Sequence, residues 1–361
     1  MKLSSVDNFI EDRPESVLYA QPATMVSNGP VVCNLSDMTD RSTKAFPGVP
    51  AYLLEISDGE CIWPNILVSS ETLIDSNNGY GSLEMVGHSE NDQALRVTSG
   101  GGKLRFRLVD KQERTDMIEP FGILVAAANY SSWILGELPR ISLYKKISPT
   151  PKIILHGVAK PYHLQSLGAF GIKSDQIVVV DKQSSVAGKT FYYATPTFMH
   201  QNMSFESIGL LRDQLFSEHK NDAKAGTSIY VSRSKLGAIH DRRIRNEAEV
   251  ESYLTDNGFE IIHPQELSFL QQAQAFSSAR RIVAPFGAAL ANAVFCRKDV
   301  RPCIIQTKHT PEFDRLFQWL GADVFHLTPR REKVRNATFQ SQAFEFAVNL
   351  DNLRKFVQAT E

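Results

Sequence analysis

Residues 282–295 read "IVAPFGAALANAVF", and the reading of this stretch decides the fold. Ile282 to Pro285 is a short apolar run of strand type. It breaks at Phe286-Gly287, and the spacing predicts a helix over 287–295. Gly287, Ala288, Ala289, Ala291 and Ala293 leave little side-chain volume beside that backbone. Two readings fit. Small residues permit close helix–strand packing. They also let a ligand reach the N–H groups at a helix start, where the dipole favours an anion such as phosphate.

Outward from this stretch, strands and helices alternate. From 226 the order is "TSIYVS", a helix over 247–256, "FEIIH", a helix over 268–278, "RRIVAP", the 287–295 helix, "PCIIQT", a helix over 311–320 and "ADVFHL". Asn246 and Glu249 read as a capping pair for the first of these helices. "FEFAVN" and "LDNLRKFVQAT" add a last strand and helix. Strands separated by helices predict a parallel sheet with right-handed crossovers.

A similar alternation precedes it: "GILVAAA", a helix from about 131 to 146, "KIILHG", a helix over 161–170, "QIVVVD", "KTFYYAT" and a helix over 204–218. Pro139 falls inside the 131–146 run, where proline costs ~3 kcal/mol and kinks or ends a helix. The polar, aperiodic "EHKNDAKAGTS" (218–228) marks a domain boundary. Before 118, "SLEMVG", "ALRVTS", "GGG" (100–102) and "KLRFRLVD" predict a small antiparallel element. Lys103 is followed by Leu104, so the glycines read as a hairpin turn rather than a phosphate loop.

The expected fold class is therefore α/β, with two Rossmann-like domains facing a cleft and a β-rich N-terminal portion. The expected segments are 1–118 (β-rich), 119–220 (Rossmann-like, acceptor side), 226–340 (Rossmann-like, nucleotide side) and 341–361 (last strand and helix). Ligands of such sheets sit beyond the carboxyl ends of strands at a switch point. Pro285 to Ala289 occupies such an end.

Composition narrows the function classes. A chain of 361 residues suits about two domains. With 42% hydrophobic and 22% charged residues it is neither disordered nor fibrous. The net charge of −1 argues against wholesale nucleic-acid binding. Residues 226–361 carry 18 Lys and Arg against 15 Asp and Glu, and residues 1–225 carry 21 against 25. That mild basic bias suits an anionic ligand without deciding for one. Cys33, Cys61, Cys296 and Cys303 show neither metal spacing nor a disulfide framework. There is no Asp-x-Asp triplet and no clustered His/Cys ligand set, so neither a metal nor a cofactor is expected. The N-terminus lacks an apolar core of signal-peptide length, and no run of ~18 apolar residues occurs. The expected location is cytoplasmic, with loose peripheral membrane association left open.

Four stretches carry the chemistry: "NYSSWILGELPR" (129–140), "YVSRSK" (230–235), "RRIRNEAEV" (242–250) and "ELSFLQQAQAFSSARRIVAPFGAALAN" (266–292). In this order and spacing they resemble glycosyltransferase family 61, over roughly 120–300. The resemblance implies an inverting, metal-independent transferase of two-Rossmann GT-B architecture. It implies a nucleotide-sugar donor, UDP-linked in many members, and a glycan or lipid-linked glycan acceptor. Bacterial members of the family serve surface or capsular polysaccharide synthesis.

The resemblance extends to single residues. Arg233 matches the family's arginine and is implied to pair with the donor diphosphate, which suits a planar guanidinium fork. Arg243, Asn246 and Glu247 match its R-x-x-N-E stretch. Glu247 accepts from ribose hydroxyls on this view, or is a first-turn acid favoured by the helix dipole. Gln272 matches a family glutamine on the donor side, or belongs to a solvated helix face. Gly287, Ala288 and Asn292 match the end of P-H-G-A-x-L-x-N, with Phe286 on the donor side at the position of its histidine. Asn292 contacts base or phosphate there, or ties two loops together. Asn129 opens the first of the four stretches and is read as an acceptor or cleft residue. Beside the break at Pro139, Trp133 and Arg140 are read as lining the cleft, Arg140 as a second diphosphate or acceptor contact. A buried aromatic and a surface salt bridge are the plainer readings of these two.

Ser132 and Phe286 stand where the family carries histidines. Inverting transfer needs a base for the acceptor hydroxyl and donors for the departing diphosphate. The candidates for catalysis are Ser132, Glu137 and His156. The two replacements also support an alternative: a catalytically silent relative that binds nucleotide or glycan and scaffolds a biosynthetic assembly. A dinucleotide oxidoreductase ranks last, because "VSRSKLGAIHD" lacks the G-x-G-x-x-G fingerprint.

Overall fold

The computed structural model describes residues 2–5, 10–23, 25–26, 32–36, 39–41, 46–62, 66–69, 72–75, 95–100, 103–108, 113–127, 129–199, 202–218, 226–236, 242–330, 332–333 and 344–360. The chain is a mixed α/β protein whose contacts divide it into two compact units. One comprises Met1–Thr24 and Gly48–Glu218, the other Met25–Pro47 and His219–Glu361. The expected "SLEMVG" strand and most of the 218–228 boundary lie outside the described residues.

The first unit holds a ten-stranded mixed sheet. Its centre is β1 (Ala51–Ile62), β2 (Phe121–Val125), β3 (Lys152–His156), β4 (Ile177–Val180) and β5 (Ser185–Ala194). β2, β3 and β4 run parallel, β5 lies parallel to the start of β2, and β1 pairs antiparallel with β5. β2 is buried along its whole length, which is why it reads as an unbroken apolar run rather than an alternation. Phe121, Ile123, Ile154, Val186 and Phe191 join one core cluster. Between β3 and β4 lies α1 (Pro161–Ala169), and α2 (Phe205–Glu218) follows β5. The expected hairpin is present as a separate ladder of Leu95–Gly100 on Lys103–Leu108, with Gly100 opposite Lys103.

The predicted 131–146 helix is a composite. An α turn (Tyr130–Ser132) passes into a π segment (Trp133–Glu137), a 3₁₀ turn (Leu138–Arg140) and a short α piece (Ile141–Tyr144). Pro139 is the cause. It has no N–H to give, and its ring displaces the Leu135 carbonyl four residues back. Thr197 takes up the difference: its hydroxyl donates to the Leu135 carbonyl at 2.7 Å, and its amide donates to Gly136 at 3.2 Å.

The second unit is built on β6 (Thr227–Val231), α3 (Glu247–Asp256), β7 (Glu260–Ile262), α4 (Phe269–Ser278), β8 (Ala279–Pro285), β9 (Arg301–Ile305), α5 (Glu312–Trp319), β10 (Val324–Leu327) and α6 (Leu350–Thr360). The sheet order is β7-β6-β8-β9-β10, all parallel. Numbered within the unit this is 2-1-3-4-5, the order of an open doubly wound sheet. Val32–Asn34 adds a parallel strand beside β10, and Thr39–Arg41 an antiparallel one outside it. Among the described residues no helix is long and apolar enough to cross a membrane.

The 287–295 helix is a 3₁₀ helix over Ala288–Phe295 rather than an α-helix. The Asn292 side chain donates to the Ala289 carbonyl at 3.1 Å, an acceptor that an α-helix would give to the Ala293 amide.

Candidate functional site

In a 2-1-3-4-5 sheet the order reverses between the first and third strands, here β6 and β8, and ligands bind beyond the carboxyl ends there. Arg233 follows β6 and Gly287 follows β8. The two meet. A Cβ built on Gly287 would fall 2.5 Å from Arg233 Nη2, so glycine is what lets the guanidinium lie across this backbone. Gly287 itself has ordinary extended backbone (φ 174°), so close approach rather than conformation calls for it. Phe286 to Ala289 are half-buried in a run otherwise buried from Ile282 to Cys296.

Glu247, the first residue of α3, shapes the loop that presents Arg233. One carboxylate oxygen accepts from the Arg233 amide at 2.6 Å, the Tyr230 hydroxyl at 3.1 Å and the Ser232 hydroxyl at 3.3 Å. Burial pushes its carboxyl above the ordinary value, while the Arg233 amide and the Tyr230 hydroxyl oppose that shift. The side chain therefore reaches back into the β6 loop as a brace. The Ser234 amide donates to Ser232 Oγ and the Leu236 amide to the Arg233 carbonyl, which closes the turn.

The other donor-side residues are placed as follows. Gln272 is 7% exposed, which corrects the solvated-face reading. Its amide nitrogen donates to the Pro264 and Leu267 carbonyls, and its oxygen accepts from Asn292 at 3.0 Å. Asn292, fully buried, thus ties the 3₁₀ helix to α4. Asn246 is not a side-chain cap. It exchanges two 2.9 Å hydrogen bonds with the Val348 backbone, which compete with the capping geometry. Arg243 is exposed on a small separate sheet, 3.6 Å from Glu345. Phe286 packs on Phe313 with ring centroids 5.2 Å apart, and its amide donates to the Ile305 carbonyl. Ala288 opens the 3₁₀ helix.

The first unit holds the remaining candidates. Asn129 caps the composite helix, accepting from the Ser131 amide at 2.9 Å and hydroxyl at 2.8 Å. Ser132 is half-buried in its first turn. Trp133 is fully buried, its indole N–H donating to Ser166 at 2.8 Å and its ring edge-on to His163. Burial lowers His163 to about 4, so the ring is neutral. Its Nδ1 accepts the Lys160 amide and its Nε2–H donates to the Ala127 carbonyl.

Glu137 and Arg140 form a buried ion pair. The Glu137 carboxylate also accepts from the Val125 amide at 2.9 Å, anchoring the helix to the end of β2. Arg140 is 0% exposed, which replaces the surface-salt-bridge reading. Burial alone would lower its pKa, but Glu137 and the Tyr144 and Tyr193 hydroxyls hold the guanidinium charged. His156 is fully buried at the end of β3, its Nε2–H donating to the Ser184 carbonyl at 2.8 Å, and burial lowers its pKa.

Three residue groups escaped the sequence reading. Thr197 stabilises the π turn, and no local pattern announces it. Tyr144 donates from its hydroxyl to the Ile123 carbonyl at 2.7 Å and accepts from the Ile123 and Ala194 amides, bridging β2 and β5 past the end of their ladder. Gly122 makes room for it: a Cβ there would fall 2.8 Å from the Tyr144 ring. The third group is His309, Asp314 and His326, brought together by β9, α5 and β10 although the sequence shows no clustered ligands. The polar His326 inside the apolar strand "VFHL" was its one signal.

No curated protein sequence matches the chain. The model of the family described as Glycosyltransferase 61 matches residues 130–303, which include the composite helix, the Arg233 loop, Gln272 and the Gly287 turn. This match supports membership of the chain in glycosyltransferase family 61, and the family suggests a glycosyltransferase.

Proposed function

We propose that the chain is an inverting, metal-independent glycosyltransferase that uses a nucleotide-sugar donor, UDP-linked, and a glycan acceptor of surface or capsular polysaccharide synthesis. The observation that carries the reading is the meeting of Arg233 and Gly287 at the switch point of a doubly wound sheet. The diphosphate would lie against the guanidinium and the first amides of the 3₁₀ helix, which have no acceptor within the helix. An acceptor hydroxyl attacks the anomeric carbon from the face opposite the diphosphate; the new C–O bond forms as the bond to diphosphate breaks. The hydroxyl proton passes to a base. Ser132 is the half-buried candidate, whereas Glu137 and His156 act on this reading through the helix and strand they brace. Arg243, Asn246, Gln272 and Asn292 shape the donor side, and Asn129, Trp133 and Arg140 the acceptor side. The absence of an Asp-x-Asp triplet supports charge neutralisation by arginine. The architecture proposed is GT-B.

The replacement of both family histidines by Ser132 and Phe286 favours a second reading, a nucleotide- or glycan-binding relative without transfer activity. Calorimetric titration of UDP in buffer without added divalent metal tests the shared claim, with GDP, CMP and NAD as comparators. The expected result is selective UDP binding, weakened at least tenfold by Arg233→Ala. Equal binding by the variant, or no binding of any nucleotide, would refute the donor site. UDP release from UDP-sugars, followed chromatographically, separates the enzyme from the silent relative.

A further inference from the structure

The geometry points to a divalent cation site of zinc type formed by His309, Asp314 and His326. His309 lies in the loop after β9, Asp314 in the first turn of α5 and His326 in β10. One ligand atom from each lies within 4.8 Å of the others. The Asp314 and His326 side chains are each 3% exposed.

His309 Nε2 meets Asp314 Oδ2 at 2.7 Å in an ordinary hydrogen bond. The other half of the carboxylate is different. Asp314 Oδ1 and His326 Nε2 face each other at 3.0 Å, yet no aligned hydrogen bond joins them and neither atom has another hydrogen-bond partner among the described residues. Buried polar atoms left this way are rare and call for an unseen ion or water. Gln306 adds to the case. Its amide nitrogen faces His326 Nδ1 at 2.8 Å while its oxygen is buried without a partner among the described residues. The two orientations of a carboxamide are nearly isosteric. Turned over, Gln306 accepts a hydrogen bond from His326 Nδ1–H, and the Nε2 lone pair then points at a carboxylate oxygen. A cation between them resolves that repulsion, and an outer hydrogen bond to the far ring nitrogen is the usual support of a metal-bound histidine.

Two imidazole nitrogens and one carboxylate oxygen suit a late first-row ion such as Zn²⁺, whereas Mg²⁺ and Ca²⁺ prefer oxygen alone. Tetrahedral ligand atoms sit roughly 3.3 Å apart, and the present ligand atoms lie within 4.8 Å of one another, so the side chains would close in around the ion. The His309 side chain is 39% exposed, which leaves room for a water as fourth ligand. The ion would fasten the 306–314 loop and the start of α5 to β10. Phe313, next to Asp314, packs on Phe286, so this clip would steady the turn that carries Gly287. It would be a structural ion, outside the sugar-transfer step.

The test is calorimetric titration of Zn²⁺ into the full chain, first stripped with EDTA and then dialysed free of it, with Mg²⁺ and Ca²⁺ as controls. One Zn²⁺ per chain is expected, with no binding of the controls. His309→Gln, at the exposed ligand, should keep the fold by circular dichroism and weaken Zn²⁺ at least tenfold. Asp314→Asn should abolish binding; if it fails to fold, the His309→Gln result decides. Absence of Zn²⁺ binding, or affinity unchanged in His309→Gln, would overturn the site. No nucleotide is present, so this outcome is independent of the UDP result.

Discussion

Gly287 is required by what lies on it, and that requirement can be separated from folding. The atom a Cβ would strike is Arg233 Nη2, the tip of a flexible side chain. Gly287→Ala should therefore leave stability within about 0.5 kcal/mol, since only the end of a flexible side chain has to move. UDP binding should weaken at least tenfold as the guanidinium is displaced, read by thermal melting and calorimetry on the same sample. A large loss of stability would mean that the glycine serves packing instead. The need for a close approach was legible in the small residues of 287–293. That part of what approaches is this chain's own arginine was not, because the contact joins the ends of two strands far apart in sequence. Glu247 illustrates the same limit. Its acidity at a helix start was legible, whereas its role in holding the Arg233 amide depends on β6 and α3 being adjacent.

The composite helix 130–144 shows at the level of elements how a broken backbone rule is offset. Its π turn exists beside Pro139 because Thr197 satisfies the Leu135 and Gly136 carbonyls that the irregularity leaves over, while the Glu137–Arg140 pair ties the turn to the Val125 amide at the end of β2. Replacing one partner of a buried ion pair strands the other charge, at about 3–5 kcal/mol. Arg140→Met should lose that much stability by urea denaturation. The double variant Glu137→Gln/Arg140→Met should recover most of it. A loss below about 1 kcal/mol in the single variant would show that Glu137 is not anchored by this arginine. Strand and helix alternation was legible because Phe121–Val125, Ile153–Leu155, Ile282–Pro285 and Pro302–Ile305 are short apolar runs between amphipathic or polar segments. Pro139 marked the break. The type of turn was not legible, since it is set by the distant Thr197, and neither was the 3₁₀ winding of Ala288–Phe295, since it depends on where the Asn292 side chain donates.

At the scale of the molecule, the chain leaves its first unit at residue 25, contributes Val32–Asn34 beside β10 in the second, and returns at residue 48. A three-residue strand carries no pattern that names its partner, so this excursion could not be read in advance. The order of β6 to β10 could be approached, because parallel crossovers leave few arrangements. The central claim is that a nucleotide binds where that order reverses. Hydrogen–deuterium exchange of the full chain, with and without saturating UDP, tests it most directly. Protection concentrated in 232–236 and 286–292, and absent in Arg233→Ala, is the predicted result. Protection confined to other segments, or none at saturation, would contradict it.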